Sequence, residues 1–523
     1  MIGMLFCLAT VNAAAQFATS KAFPDQYKKQ NRNALHRLLQ GQTDTVVQYF
    51  HQYLDSFPGD LESHYGLAAA YSQRGFFYKA LKNVKRAVRL GMPLERFVAG
   101  PSALLEPLTS RNSFKSYYYK HGKPLVHGPM QTNFTDGSAA FWVRTDQGRE
   151  VQIVIDGGYA VSVETKAEND FSGVIKIADL QPDRSYMYEV RIDNEVLHMD
   201  SFRTFPVAGQ KAAFTLGFGG GAGYTPQFER MWDTINTHDL TAFIQMGDNI
   251  YHDTPKEVEI QRYCYYRRQS RPEYRRMVSS TPIYAIWDDH DFGDNDCYGG
   301  ADPNFPVWKQ DVWRVFKEQW NNPYYGGGED DPGCYFDFGI ADVDFFMLDC
   351  RYYRTNVHDD FKPDSMLGAV QTSWLRDRLL SSTATFKVIA TSVPISQGTK
   401  GGKAGLDTWD GFAEEREALF SFIEENSING VFFVAADRHR SDIWKTERAT
   451  GYPFYEFMSS RLTNIHTHPV PAAAIFGYND KPSFGLLSFD TQQIDPTVTY
   501  KIYSIDNEEI YGHTIYWSEL SDQ

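Results

Sequence analysis

Cysteine is scarce in this chain: five in 523 residues, and their spacing fits no zinc motif. An excess of positive charge is also missing. Lys and Arg number 51 against 66 Asp and Glu, a formal net charge of −15. That sign argues against nucleic acid as a partner, because phosphate backbones demand a basic surface. It leaves a phosphorylated substrate open, since bound cations reverse the field inside a site. After Phe17 no run approaches the roughly 18 apolar residues that a membrane helix needs.

The apolar run that does exist, Ile2 to Val11, is followed by Asn12-Ala13-Ala14-Ala15, a small-residue cleavage pattern before Gln16. Residues 1–15 therefore read as a signal peptide, although a basic leading region is absent. The mature chain is expected to be exported, to the periplasm or outside the cell, with no integral membrane segment. Removing the signal leaves Cys264, Cys297, Cys334 and Cys350. A disulfide bracing the acidic motifs and a set of buried free thiols are both open.

The length exceeds one hydrophobic core and predicts roughly two to four domains. Residues 21–115 carry helical periodicity. Val46, Val47, Phe50, Tyr53 and Leu54 share a face, and Phe57-Pro58-Gly59-Asp60 stops that helix. Gly66-Leu67-Ala68-Ala69-Ala70-Tyr71 with Ala80-Leu81 and Ala87 resembles a tetratricopeptide repeat. One good repeat is too few for a free-standing solenoid. These helices are expected to dock on the rest of the chain, with a protein partner as the sharper alternative. Residues 120–207 change to alternation, in strands such as Val151–Ile155 and Tyr186–Arg191 with turns between them. That texture predicts a β-sandwich, and Leu180-Gln181-Pro182-Asp183 before Tyr186 and Tyr188 resembles a fibronectin III-like corner. Residues 211–523 alternate strands and helices, an α/β domain closed by strands between Phe484 and Trp517.

Several apolar strands of that last domain end in acid. Thr241–Met246 runs into Gly247-Asp248-Asn249-Ile250-Tyr251, and Pro282–Ile286 into Trp287-Asp288-Asp289-His290-Asp291 with Asn295. Gly430–Ala436 runs into Asp437-Arg438-His439. Parallel strands assemble sites at their carboxyl ends, so these motifs can share one pocket. Asp, His, Asn and Tyr together suit cations, and two ions sharing a carboxylate would clamp a phosphoryl group and activate a water.

The order of these motifs, with Asp349-Cys350-Arg351-Tyr352-Tyr353-Arg354 and Trp409-Asp410-Gly411-Phe412 before Glu415-Arg416, resembles the alkaline phosphatase D (PhoD-like) branch of the calcineurin-like metallophosphoesterases. The resemblance runs from about Pro124 to the C-terminus and implies an α/β metallophosphoesterase sandwich with a binuclear or trinuclear metal site. By position it implies Asp248 as bridging carboxylate and Tyr251 as phenolate ligand. Asp289, Asp437 and His439 would be further ligands, and Asn295 a ligand or phosphate contact. His290 would be the proton donor or phosphate-orienting group, and Arg351 and Arg438 would pair with phosphate oxygens. For Arg351 an ion pair with Asp349 or Asp410 is the alternative. The implied metals are Fe3+ and Ca2+, with Mn2+ or Zn2+ as further candidates.

Two departures stand out. Gly220-Gly221 occupies the place of a Ser-Cys motif whose thiolate binds iron, and Ala436-Asp437 the place of Gly-Asp. The glycines admit either a backbone N–H nest for phosphate or a tight turn. The expected function is an exported, metal-dependent phosphoric ester hydrolase. The alternative is a weakened or inactive relative that binds a partner through its helical repeat and β module. The retained acids favour the enzyme.

Overall fold

A computed structural model of the chain describes residues 27–355 and 365–521. The expected signal peptide lies outside the described residues. Among the described residues no helix is long and apolar enough to cross a membrane.

The chain opens with helices α1 (Tyr27–Leu39), α2 (Thr43–Ser56), α3 (Leu61–Gln73) and α4 (Phe77–Arg89). Shorter helices α5 (Arg96–Ala99), α6 (Ser102–Thr109) and α7 (Asn112–His121) follow. Asp60 caps α3 by accepting the Ser63 N–H at 2.8 Å. Where α2 meets α3, a Cβ on Gly66 would lie 2.1 Å from Phe50 Cζ, so only glycine permits this approach.

Strands β1 (Leu125–Thr132), β2 (Ala139–Thr145), β3 (Glu150–Ile155), β4 (Tyr159–Glu164), β5 (Ser172–Ile177), β6 (Ser185–Ile192) and β7 (Glu195–Arg203) come next. Alternation along β6 buries Tyr186, Tyr188, Val190 and Ile192. The order β4-β3-β6-β7 forms one sheet. The other strands, β1, β2 and β5, extend the first sheet of the following domain, joined to it by the pair Thr132–Ile283. The β module therefore shares a sheet with its neighbour, which covers an edge of β1.

That neighbour contains β8 (Ala213–Gly219), α8 (Met231–Asn236), β9 (Ala242–Met246), α9 (Val258–Gln269), α10 (Pro272–Ser280) and β10 (Ile283–Ile286). Then come α11 (Asp289–Phe292), α12 (Trp308–Gln319), β11 (Phe336–Ile340), β12 (Val343–Met347), α13 (Gly368–Ser381) and β13 (Phe386–Ala390). The chain continues through α14 (Ala413–Glu425), β14 (Val431–Ala435), β15 (Ser441–Thr446), β16 (Phe454–Met458) and β17 (Phe476–Tyr478). It closes with β18 (Ser483–Asp490), β19 (Thr497–Ser504) and β20 (Glu509–Tyr516).

Two sheets face each other. One has the order β20-β19-β18-β8-β9-β10-β1-β2-β5, the other β11-β12-β13-β14-β16-β15-β17. Phe489 of the first packs on Phe345, Phe386 and Phe432 of the second at 6.0–6.3 Å between ring centres. The inner strands β8–β10 and β12, β13, β14 and β16 run parallel. Covered on both faces, they read in sequence as unbroken apolar runs. At their carboxyl ends the sheets touch through the bridge Gly220–Ser460, and there the acidic turns emerge.

The helical layer docks on α9. The Tyr65 and Tyr263 rings lie 5.8 Å apart, with the Arg96 guanidinium 4.4 and 4.9 Å from them. Tyr263 Oη donates to Glu62 at 3.0 Å. One face of α3, in the repeat-like pair, is thus taken up by this same chain.

Candidate metal centre

The turns after β9 and β14 are left-handed. Asp248 has φ 54°, Asp437 φ 61° and His439 φ 50°. Among non-glycine residues, Asp, Asn and His enter this region most readily. The turns send these side chains into the gap between the sheets. Tyr251 Oη donates to Asp248 Oδ2 at 2.5 Å. His439 Nε2 lies 3.2 Å from Tyr251 Oη and 3.6 Å from Asp248 Oδ2, and Asn464 donates to Tyr251 Oη at 2.8 Å.

Whether cations fit here is answered by the orphaned oxygens. Asp248 Oδ1 and Asp288 Oδ2 are buried with no hydrogen-bond partner among the described residues. A dry carboxylate oxygen without a donor is costly unless a cation faces it. Asp248, Asp289 and His290 each offer a ligand atom within 4.8 Å of the others, and so do Asp289, Asp296 and Asp407. Both groups fit a metal.

The electrostatics agree. Burial pushes the Asp289 carboxyl up to about 7, and burial raises Asp288 well above its ordinary value despite Arg351. Burial and the Asp248 charge push the Tyr251 phenol far up. His290 is pushed up to about 10, because the Asp289, Asp248 and Asp253 carboxylates outweigh its burial. Such a pocket is short of positive charge.

Asp248, Tyr251, Asp289, His290 and His439 thus converge. Asp437 stands beside them, paired with Arg438 at 3.1 Å. Arg438 keeps a buried Nε with no partner among the described residues. Asn295 is exposed. Arg351 requires a correction. It is fully buried, with Nε on Asp288 at 2.6 Å and Nη1 on Asp407 at 2.8 Å. Its fork is filled by carboxylates and does not face a phosphate, and its guanidinium pairs with neither Asp349 nor Asp410. Asp291 is a brace: its carboxylate accepts the N–H groups of Asp288, Asn249 and Ile250 at 3.0–3.1 Å.

At Gly220-Gly221 the turn is the tight one. The N–H groups of Gly220, Gly221 and Ala222 all donate to backbone carbonyls, at 3.1, 3.3 and 2.8 Å, so none is left for a nest. Gly221 has φ 70°, and a Cβ there would lie 2.8 Å from Ser460 Oγ and 3.2 Å from His439 Cδ2. A cysteine does not fit without displacement. The four described cysteines are free, so the disulfide alternative does not hold.

Other residues at the centre carry little signal in the sequence. Arg32 of α1 is buried behind it. Arg32 Nη1 donates to the Tyr251 carbonyl at 2.5 Å and Nη2 pairs with Asp253 at 2.7 Å. Asp253 in turn holds His290 Nδ1 at 2.6 Å. Lys400 sits 3.6 Å from Asp296. His466 and His468 flank His439 with ring centres at 5.3 and 5.7 Å. The short His-Thr-His tract at 466–468 is the one local sign among these.

A family model described as PhoD-like phosphatase matches residues 216–481. A second, described as a domain of unknown function (DUF7800), matches residues 122–210. Alkaline phosphatase D of Bacillus subtilis (strain 168) is 24% identical over 306 residues, 50% of this chain and 52% of that protein. The chain therefore spans about half the length of the curated relative it matches. Among solved structures, PhoD aligns with a TM-score of 0.61 at 17% identity, covering 74% of this chain and 92% of that one. A purple acid phosphatase from yellow lupin (Lupinus luteus) seeds aligns at 0.54 and 11% identity, over 75% of each chain. The two structures share the fold.

Proposed function

The chain belongs to the PhoD-like phosphatase family, and from that premise we propose that it is an exported, metal-dependent hydrolase of phosphoric monoesters or diesters. The observation that carries the reading is Asp248, whose Oδ2 is held by Tyr251 and whose buried Oδ1 faces no donor among the described residues. In this proposal Asp248 would help to hold both cations, Tyr251, Asp437 and His439 one of them, and Asp289 the other. When bound, such ions supply Lewis acidity toward phosphoryl oxygens and lower the pKa of an attacking water. His290, with Nδ1 held by Asp253, gives a proton to the leaving oxygen. Arg438 pairs with a phosphate oxygen through its guanidinium. The raised Tyr251 phenol ionises only against a strong Lewis acid, which favours a trivalent ion beside it.

The test is hydrolysis of p-nitrophenyl phosphate and bis-p-nitrophenyl phosphate before and after chelation, with Fe3+, Ca2+, Mn2+ or Zn2+ restored singly and in pairs. Turnover lost to chelator and restored by metal is expected. No turnover on either ester with metal bound overturns the hydrolase reading and favours a binding protein. A ferric ion on Tyr251 would give a visible phenolate-to-iron band that Tyr251→Phe bleaches.

A further inference from the structure

We propose that the outward face of α4, flanked by α7, is a docking surface for an anionic phospholipid bilayer, on which the protein rests without crossing it. The charge is segregated in the sequence. Residues 63–94 hold Arg74, Lys79, Lys82, Lys85, Arg86 and Arg89 and no acid. Residues 107–135 hold Arg111, Lys115, Lys120 and Lys123 and again no acid. In a chain with 66 acids against 51 bases, an ordinary solvated face would mix the two signs.

Helix geometry gathers these cations. Ala80, Val84 and Ala87 turn the apolar side of α4 into the protein, where they are buried. At about 100° per residue, Lys85, Tyr78, Arg89, Lys82, Arg86 and Lys79 fall in that order within about 120° of the helix circumference, on the other side. All six are exposed. Among the described residues none of the five cations is ion-paired with a carboxylate; Arg74, just before the helix, is paired, with Asp44 at 2.6 Å. Lys85 Nζ lies 4.9 Å from the Tyr117 ring and the Arg111 guanidinium 3.9 Å from the Phe77 ring. These contacts set α7, with its exposed Lys115 and Lys120, alongside the stripe.

Charge complementarity names the occupant. A cluster of four to eight Lys and Arg on an amphipathic helix suits the headgroups of an anionic leaflet. Tyr78 stands inside the stripe at 85% exposure, and tyrosine favours the membrane–water interface. A single-stranded nucleic acid would need its cations in a groove that tracks the backbone; these line the outer side of one helix. The overall charge of −15 is no obstacle. At physiological ionic strength the Debye length is about 8 Å, so the leaflet feels the nearby cations and little of the acid beyond them. Because the apolar side of α4 is occupied by its own chain, the contact is electrostatic and peripheral, unlike that of a helix that buries its apolar face in lipid. The surface concerns binding and does not rest on the hydrolase reading.

The test is co-sedimentation of the full chain with vesicles of phosphatidylcholine alone and of phosphatidylcholine with phosphatidylglycerol in equal parts. Binding to the anionic vesicles only is expected. It should vanish at about 1 M salt, where the Debye length is ~3 Å. K82E/K85E/R86E/R89E should weaken binding by more than about 100-fold, at roughly five-fold for each cation lost near an anionic leaflet. A second variant, K176E/K211E, reverses two cations outside the helical layer and should bind as wild type does. Circular dichroism and thermal unfolding control for folding, and the milder K82Q/K85Q should show a partial loss if the four-fold reversal is unstable. Equal binding to neutral vesicles, no binding to anionic ones, or full binding by K82E/K85E/R86E/R89E overturns the surface. Binding of soluble polyphosphate or single-stranded DNA by a chain that leaves the vesicles unbound overturns the bilayer as its occupant.

Discussion

The helical layer and the small β module both pack on the same α/β sandwich, but they meet it differently. The β module grips the amino end of β10. Thr132 bridges to Ile283, Gln131 and Tyr188 each donate to the Ser279 carbonyl at 2.6 Å, and the Phe134 N–H donates to Tyr284 at 3.1 Å. Among the described residues, none of its hydrogen bonds to the sandwich reaches the metal centre. The helical layer reaches the carboxyl ends, where Arg32 holds the Tyr251 carbonyl and the Asp253 carboxylate. An appended domain can be judged by where its buried polar groups land. One addition supports the scaffold; the other is wired to His290 through Asp253.

The largest effect sets the scale for that comparison. Asp248→Asn keeps the shape and removes the charge, and it should strip metal and abolish turnover of both nitrophenyl esters, read by elemental analysis and initial rates. Unchanged metal and rate would remove the reference point altogether. Next comes Arg32→Met, expected to lower kcat by roughly 10–100-fold, the range for outer-shell partners. The loss should not add to that of His290→Ala, and Arg32→Lys should recover part of it, since an ammonium can keep a contact with Asp253. A fully additive loss would make Arg32 an ordinary stabilising residue and dissolve the contrast.

A pH experiment sharpens the same point. Burial works against the Asp253 charge, but His290 and Arg32 outweigh it and hold the carboxyl below its ordinary range. A depressed carboxylate stabilises the fold above its unfolded pKa of about 4, and that contribution is lost as pH falls through the lower folded value. Asp253→Asn should therefore be less stable at neutral pH and show a shallower decline in acid, measured by denaturant unfolding across pH. The smallest effect belongs to the β module. Tyr188→Phe leaves the Ser279 carbonyl with Gln131 as donor, so it should cost about 1 kcal/mol of stability and leave kcat unchanged. A drop in kcat there would place the β module on the same footing as the helices.

Much of the centre was legible because buried parallel strands are continuous apolar runs, and the acids that end them stand out. Asp248, Asp289 and Asp437 could be named on that ground. Arg32 could not, since its partner carbonyl is 219 positions away and nothing local separates it from any other helix arginine. Arg351 was tied to the wrong acids for a related reason. The Asp349 carboxylate is occupied by the Trp287 indole at 2.7 Å and the Cys334 N–H at 2.9 Å. Asp407, from a loop without readable periodicity, takes its place. The union of β1, β2 and β5 with the catalytic sheet depends on which edges pair, and alternation within a strand is silent on that. The helices of the N-terminal layer were easier, because Phe50, Gly66 and Ala80 lie on faces that local periodicity defines.

The left-handed turns at Asp248, Asp437 and His439 also narrow the routes by which this centre can drift. An alanine at such a position loses the proposed ligand and adds a backbone penalty of about 1–2 kcal/mol. Asparagine, which enters that region more readily and keeps the side-chain shape, loses the charge alone. Random substitution at Asp248 or Asp437 should leave a folded population dominated by Asp, Asn and Gly. A lineage that abandoned the chemistry would then be expected to carry asparagine or glycine in these turns, a trace of its past written in backbone geometry.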